Sequence, residues 1–293
     1  MSDPEDCAVL APFIRRSMFT VDLGPLVSSD PCRSGVIAAA HGCSDIFAMG
    51  AEPAAAVVLL LVEAAMPQSV PADVLTGIVA QCRSDGAAVV GGHTIFAQEA
   101  MAGVAVIGQA GERILTKRGA SPGQILMLSK PVGLGAAIRA HRLGLIDDIE
   151  LEPVLATMEI SNREASRAAV RADVSAATDV TGFGLVGHLA EMLSPEGLGA
   201  TVHLESVPII DAAKGLPDNL AHSAWLDNNL GYSQALIRLS GIRARKRIAP
   251  LLDPQTSGGL LIAVDDDRVD QLRASGFHTI GTVTDTSELE VLP

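Results

Sequence analysis

"ATDVTGFGLVGHLAEM", residues 177–192, compresses a strand, a turn and a helix into one short stretch. The run at 174–178 reads as a strand that ends on an acid, Asp179. Gly182 and Gly184 then loosen the turn, and residues 183–194 have the length and apolar content of a helix. Small residues at such a turn let the backbone approach a ligand, and a helix N-terminus receives an anion. Asp179 or Thr181 acting as a plain helix cap accounts for the same residues, so this stretch alone leaves both readings open.

The same alternation extends in both directions. Downstream of residue 124, further strands fit 125–129, 200–204, 259–264 and 278–283, and helices fit 132–143, 151–171 and 266–275. Upstream, "MFTVDL" (18–23), 54–62, "AAVVGGHT" (87–94) and 101–109 read as strands, the third running into a glycine turn. Helices fit 35–50 and 70–86, the first stopped by Gly50 and Pro53. Between the halves, "ERILTKRGASPGQ" concentrates a Lys-Arg pair with Gly119, Ser121, Pro122 and Gly123. We therefore expect two domains, 1–111 and 124–293, joined by a linker at 112–123. The pattern is α/β or α+β in both.

Composition bounds the chemistry. The 293 residues are 48% apolar and 19% charged, which excludes a disordered or fibrous chain. A net charge of −13 argues against a nucleic-acid or anionic-membrane surface, yet admits an anionic small substrate if metal ions carry the positive charge locally. Aromatic residues are only 3%, too few for base-stacking platforms. The four cysteines lack Cys-x-x-Cys spacing, so reduced thiols are expected rather than a zinc knuckle or disulfide framework. With no basic and apolar leader pattern and no long apolar run, the expectation is a cytoplasmic chain that engages no membrane.

"GCSDIFAMGAEP" (42–53) sets Asp45 among Ile46, Phe47 and Met49, where a carboxylate requires a cationic partner. That partner is either a Lys or Arg of the protein or a metal ion. "GGHT" (91–94) is an ordinary turn or a phosphate contact, and Asp22 either ends its strand or meets a ligand. Asp6, Asp45 and Asp179 are oxygen donors suited to hard cations, with no His-Cys cluster competing for a soft metal. Carboxylates with glycine turns are what magnesium-bridged phosphates require. "DPQTSGG" (253–259) crowds hydroxyls against the apolar strand that follows, and its residues do not decide between a turn and a site.

Taken together, "SDIFAMGAEP", "GGHT", "ATDVTGFGLVGHLAEM" and "DPQTSGGLLIAV" closely resemble, in the same order, the selenophosphate synthetase (selenide, water dikinase) family. The wider superfamily, with aminoimidazole ribonucleotide synthetase and the hydrogenase-maturation dehydratase, shares the architecture but not these strings. The resemblance implies a two-domain α/β (α+β) fold like that of aminoimidazole ribonucleotide synthetase. Its N-terminal domain would bind ATP and form a homodimer; its C-terminal domain would be α/β. The implied reaction takes ATP, selenide and water to selenophosphate, AMP and phosphate. By position, Asp6, Asp45 and Asp179 correspond to metal-binding carboxylates for Mg²⁺, and Asp22, Asp45, Gly92, His93 and Thr94 to nucleotide contacts. "DPQTSGG" acquires no definite role.

The sequence departs from the family at its start. A glycine-rich segment holding a reactive Cys or selenocysteine and then a Lys is expected ahead of the acid pair, but only five residues precede Asp6 here. Cys7 stands where Ala is usual and His41 where Asn is usual. No catalytic residue is therefore assigned, and slow or absent synthetase activity is expected of the chain as written. A nucleotide-binding paralogue or partner subunit without catalysis, or an ATP-dependent synthetase of the superfamily acting on another substrate, are the alternatives.

Overall fold

A computed structural model describes residues 8–13, 15–216, 224–240 and 245–293, which form two units. The first comprises residues 1–114 and 158–166, and the second residues 115–157 and 167–293. The chain thus leaves the second unit at 157 and rejoins it at 167, an excursion the sequence pattern did not announce.

The first unit contains β1 (Ala8–Phe13), β2 (Arg15–Pro25), α1 (Pro31–Gly42), α2 (Ser44–Ala48), β3 (Glu52–Glu63), α3 (Ser69–Ser84), β4 (Ala88–Ala97) and β5 (Met101–Gln109). Its sheet has the order β1-β2-β5-β3-β4, antiparallel except for the parallel β3–β4 pair. Period-two alternation sends Met18, Ala56, Val58, Leu60, Ala102, Val104 and Val106 into the core. Ala39, Phe47, Val74 and Ile78 of the helices complete that core. α1 starts sharply because the Asp30 carboxylate accepts from the backbone N–H groups of Cys32 and Arg33 (2.9 and 3.3 Å), with Pro31 at the first helical position.

Two expectations need correction here. The single helix foreseen over 35–50 breaks at Cys43, where the chain turns from α1 into the short α2. Gly42 marks the break: a Cβ there would lie 2.4 Å from Val104 Cγ2, so only glycine lets α1 close against β5. "GGHT" is not a turn, because β4 runs straight through it in register with β3, Gly92 opposite Val58 and Thr94 opposite Leu60. Val90 is the extra residue of a bulge between the Ala56–Val89 and Val57–Gly91 pairs. The glycines permit close strand approach, since a Cβ at Gly92 would meet Val58 O at 2.6 Å.

The second unit contains β6 (Ile125–Leu128), α4 (Leu134–Arg142), α5 (Asp148–Glu159), α6 (Arg163–Arg171), β7 (Ala176–Asp179), α7 (Gly184–Leu193), β8 (Gly199–His203), α8 (Ala224–Leu236), β9 (Arg238–Ser240), α9 (Arg245–Leu252), β10 (Leu260–Val264), α10 (Val269–Ala274), β11 (His278–Thr284) and β12 (Glu288–Leu292). The end of α5 and the start of α6 belong to the excursion. Seven strands pair in the order β7-β10-β6-β11-β8-β12-β9, parallel only at β12 with β8 and β9. α7 has nearly all its residues buried, among strand residues such as Leu126, Leu128, Leu261 and Ala263 and helix residues Leu226, Ile248 and Leu251. The helix expected over 151–171 is α5 and α6, broken at residues 160–162. Strands β1, β9 and β12 and helices α8 and α9 had no counterpart in the sequence reading.

Candidate active site

In the first unit two carboxylates, those of Asp22 and Asp45, lie on the helix side of β2. Met18 and Thr20 point into the core and Asp22 follows two residues on, half-buried. The Thr20 hydroxyl donates to Asp45 Oδ2, tying the first turn of α2 to the sheet. Asp22 Oδ1 lies 3.8 Å from His41 Nε2, in the last turn of α1. Asp22, His41, Thr20 and Asp45 thus form one polar patch where α1 passes into α2.

The opposite side of α2 is held by the excursion. Asn162 Nδ2 donates to Ser44 Oγ (2.9 Å), and the Ser166 hydroxyl donates to the Phe47 carbonyl (2.6 Å). Arg33 pairs with Glu159, its Nη2 reaching Glu159 Oε2 at 3.2 Å, and Arg163 pairs with Glu52 at 3.2 Å. α2 has only five residues, and a helix that short has little stability of its own. Side chains on both flanks fix it.

Gly92, His93 and Thr94 all lie in the exposed middle of β4. Their registers divide them: Gly92 and Thr94 match Val58 and Leu60 on the helix side, whereas His93 matches Leu59 on the other face. Asp22, Val104, Val58 and Gly92 fall on one line across β2, β5, β3 and β4. Three strand spacings separate Asp22 from Gly92, roughly 14 Å. Asp6 lies outside the described residues. Among the described residues no group of three or more His, Cys, Asp or Glu is gathered to hold a metal ion; the polar patch offers the carboxylates of Asp22 and Asp45 and the Thr20 hydroxyl as oxygen donors.

In the second unit Asp179 is buried at the end of β7, opposite Leu260. The turn after it is anchored from three elements. Thr181 N–H donates to His188 Nε2 of α7 (3.1 Å), Gln255 N–H donates to the Thr181 carbonyl (3.0 Å), and Asn229 Nδ2 of α8 donates to the Gly182 carbonyl (2.9 Å). Gly184, at φ +68°, packs against the Leu252 backbone.

"DPQTSGG" now has a structural role. Asp253 is buried and accepts from Ala136 N–H (2.7 Å) at the start of α4 and from Arg139 Nη2 (2.8 Å). Burial holds its carboxyl above the ordinary value, opposed by Arg139 and these hydrogen bonds. Gln255 accepts from Leu134 N–H (3.0 Å), and the buried Lys130 ammonium donates to the Ser257 carbonyl (2.9 Å). This string buttresses both the Asp179 turn and the start of α4.

A further cluster escaped the sequence reading. Glu191 lies one turn beyond His188, with its Oε2 3.4 Å from His188 Nδ1 and 3.1 Å from Lys117 Nζ. Its Oε1 accepts from the Tyr232 hydroxyl at 2.6 Å. Burial raises the Glu191 carboxyl, but the His188 ring 3.4 Å away, the Lys117 charge and the hydrogen bond from Tyr232 outweigh it and bring it down to about 2. Burial and the Glu191 hydrogen bond push Tyr232 up to about 12. The available signal was a His and a Glu three residues apart in an otherwise apolar helix.

The two units match family models in turn: AIR synthase related protein, N-terminal domain, over residues 4–110, and its C-terminal domain over 121–292. Among curated relatives, the selenide, water dikinase of Carboxydothermus hydrogenoformans is 37% identical over 256 residues, spanning 87% of this chain and 74% of the relative. Those of Porphyromonas gingivalis (36%, 92% and 80%) and Clostridium botulinum (32%, 93% and 81%) align over still more. This chain belongs to the selenide, water dikinase family. Solved structures extend the likeness to the fold of the superfamily. Thiamine monophosphate kinase from Aquifex aeolicus superposes with a TM-score of 0.73 at 17% identity, covering 96% of this chain and 90% of that one. The hydrogenase maturation protein HypE in complex with ATP superposes with a TM-score of 0.69 at 17% identity, over 94% and 79%.

Proposed function

We propose that this chain is a selenophosphate synthetase, converting ATP, selenide and water to selenophosphate, AMP and phosphate. The observation that carries the reading is the 37% identity to a selenide, water dikinase across 87% of the chain. Each signature string also has a defined structural setting. The oxygen donors fit a hard cation, and Mg²⁺, when bound, neutralises phosphate charge that the carboxylates would otherwise repel. Asp6, Asp45 and Asp179 are assigned as its carboxylate ligands. Asp22, Asp45, Gly92, His93 and Thr94 are assigned to the nucleotide. The hydrogen bond from Thr20 supports this for Asp45, because it orients one carboxylate oxygen from a buried position. Residues 1–111 are assigned as the ATP-binding domain and 124–293, apart from the excursion at 158–166, as the C-terminal domain, with 112–123 as the linker.

A homodimer in the cytoplasm completes the proposal. The face of the first sheet opposite its helices exposes Phe19, Val21, Leu23, Val57, Ile95 and Ile107. Registers such as Phe19 with Ile107, and Val21 through Ala105 to Val57, put them on a common surface. A contiguous exposed apolar patch of this kind marks an interaction surface, and a second copy of the same sheet matches it. Among the described residues no helix is long and apolar enough to cross a membrane.

Calorimetry of ATP binding with Mg²⁺ and with a chelator tests the nucleotide site. Chromatography of AMP formed from ATP with and without selenide tests the reaction. Metal-dependent binding is expected, and such AMP as forms should require selenide. Equal ATP affinity in both conditions overturns the metal assignment, and AMP formation indifferent to selenide overturns the substrate.

A further inference from the structure

Resting on the assignment of Asp179 to magnesium, we propose that His188 is a positioning residue, which holds the Thr181 backbone N–H and so fixes the Asp179 turn for binding magnesium–ATP. The turn is short: Asp179 ends β7, and Thr181 is two residues beyond it. Its N–H needs an acceptor, and the acceptor is a side chain, His188 Nε2 at 3.1 Å. The Val180 N–H donates to the Gly259 carbonyl (2.9 Å), so consecutive amides beyond Asp179 are tied to two different elements.

Accepting at Nε2 determines the tautomer. A neutral ring that receives a hydrogen bond at Nε2 carries its proton on Nδ1. Nδ1 faces Glu191 Oε2 at 3.4 Å, the position at which a carboxylate favours that tautomer. Glu191 is itself immobilised by Lys117 and Tyr232. Phe183, within the turn, stacks on Tyr232 with ring centroids 4.4 Å apart and lies tilted against His188 at 5.8 Å. The ring is 4% exposed and is therefore held by its neighbours rather than by solvent. One side chain, His188, thus meets the amide, and Glu191 beside the ring is in turn held by Lys117 and Tyr232. Groups that orient a metal ligand commonly alter metal affinity by about 10- to 100-fold when removed, and His188 acts on Asp179 through the backbone of the turn.

The experiment compares His188→Phe, His188→Gln and Asp179→Asn in the full chain, reading the Mg²⁺ concentration that half-saturates ATP binding by calorimetry. His188→Phe is expected to raise that concentration about tenfold. His188→Gln, whose amide oxygen also accepts from Thr181 N–H, is expected to restore it to within about threefold of the parent. Hydrogen exchange at the Thr181 amide, measured without metal, should accelerate in His188→Phe and not in His188→Gln. A parent-like Mg²⁺ requirement in His188→Phe, with Asp179→Asn impaired, overturns the role of His188 alone. Parent-like behaviour of Asp179→Asn overturns the magnesium assignment and this proposal with it. Should His188→Phe not fold, Glu191→Gln replaces it, with an expected rise of about threefold and refutation by no change.

Discussion

Gly77→Ala, in the middle of α3, is expected to loosen the first unit although alanine is the better helix former. A Cβ at Gly77 would lie 1.9 Å from the Cys32 carbonyl oxygen and 2.9 Å from both Cys32 C and Val36 N of α1. All three are backbone atoms, so no side chain can swing aside. Reaching an ordinary contact of 3.4 Å requires α1 and α3 to separate by about 1.5 Å. Overpacking of this severity costs about 3 kcal/mol, and the higher helix propensity of Ala returns about 1, leaving ~2 kcal/mol of destabilisation. The same substitution at Gly231 in α8, where a Cβ meets nothing within 4 Å, should stabilise by about 0.5–1 kcal/mol. Urea titrations read by amide exchange in α1, α3 and α8 separate the units, which a single melting curve does not. The retreat of α1 also carries Cys43 and α2 with it, so magnesium-dependent ATP binding should weaken in Gly77→Ala alone. A Gly77→Ala protein as stable as the parent, or more so, refutes the close packing of α1 on α3.

Other perturbations test the remaining sites. Asp45→Asn should keep the fold, because the amide oxygen still accepts from Thr20, while magnesium-dependent ATP binding falls; an apo stability loss of several kcal/mol with unchanged affinity would identify a structural ion pair instead. Glu191 titrates near 2 rather than 4.5, so folding gains about 3 kcal/mol that is complete above pH 4.5 and is lost as pH falls toward 2. Stability difference curves between the parent and Glu191→Gln should therefore close over that acid window, and a gap independent of pH would contradict the network. Asp253→Ala strands Arg139 and the Ala136 N–H and should cost about 3 kcal/mol in urea titration, whereas a neutral result would deny the buttress. Val21→Lys should convert the proposed homodimer to monomers by analytical ultracentrifugation, and a dimer unchanged by it would move the interface elsewhere.

Legibility in the sequence followed the strength of local signals. Long apolar strands such as β3 and β5, and the strand–turn–helix around Asp179, were readable because period and punctuation agreed. "GGHT" was misread because glycine pairs signal turns, while here the two glycines admit a neighbouring strand. The break at Cys43 was hidden because Gly42 responds to Val104 of β5, far along the chain. β9 and β12 were missed for the same reason: they are short edge-region strands whose pairing partners lie elsewhere in sequence. Asp45 and Asp22 stood out by their apolar surroundings, but Thr20, Asn162 and Ser166 gave no warning, since hydroxyl and amide side chains occur everywhere. Their role is visible only when α2 is seen from both sides.

The excursion at 158–166 bears on how such a protein can be recombined. α2, with Asp45, is retained by Asn162 and Ser166, which enter more than a hundred residues later, after residues 115–157 of the second unit. A chimaera that takes residues 1–114 from one relative and the remainder from another would inherit a helix from one parent and its clasp from the other. Mismatch at Ser44 or around the Phe47 carbonyl would then leave buried polar groups unanswered. A crossover that keeps α2 and its clasp matched therefore takes both stretches from one parent.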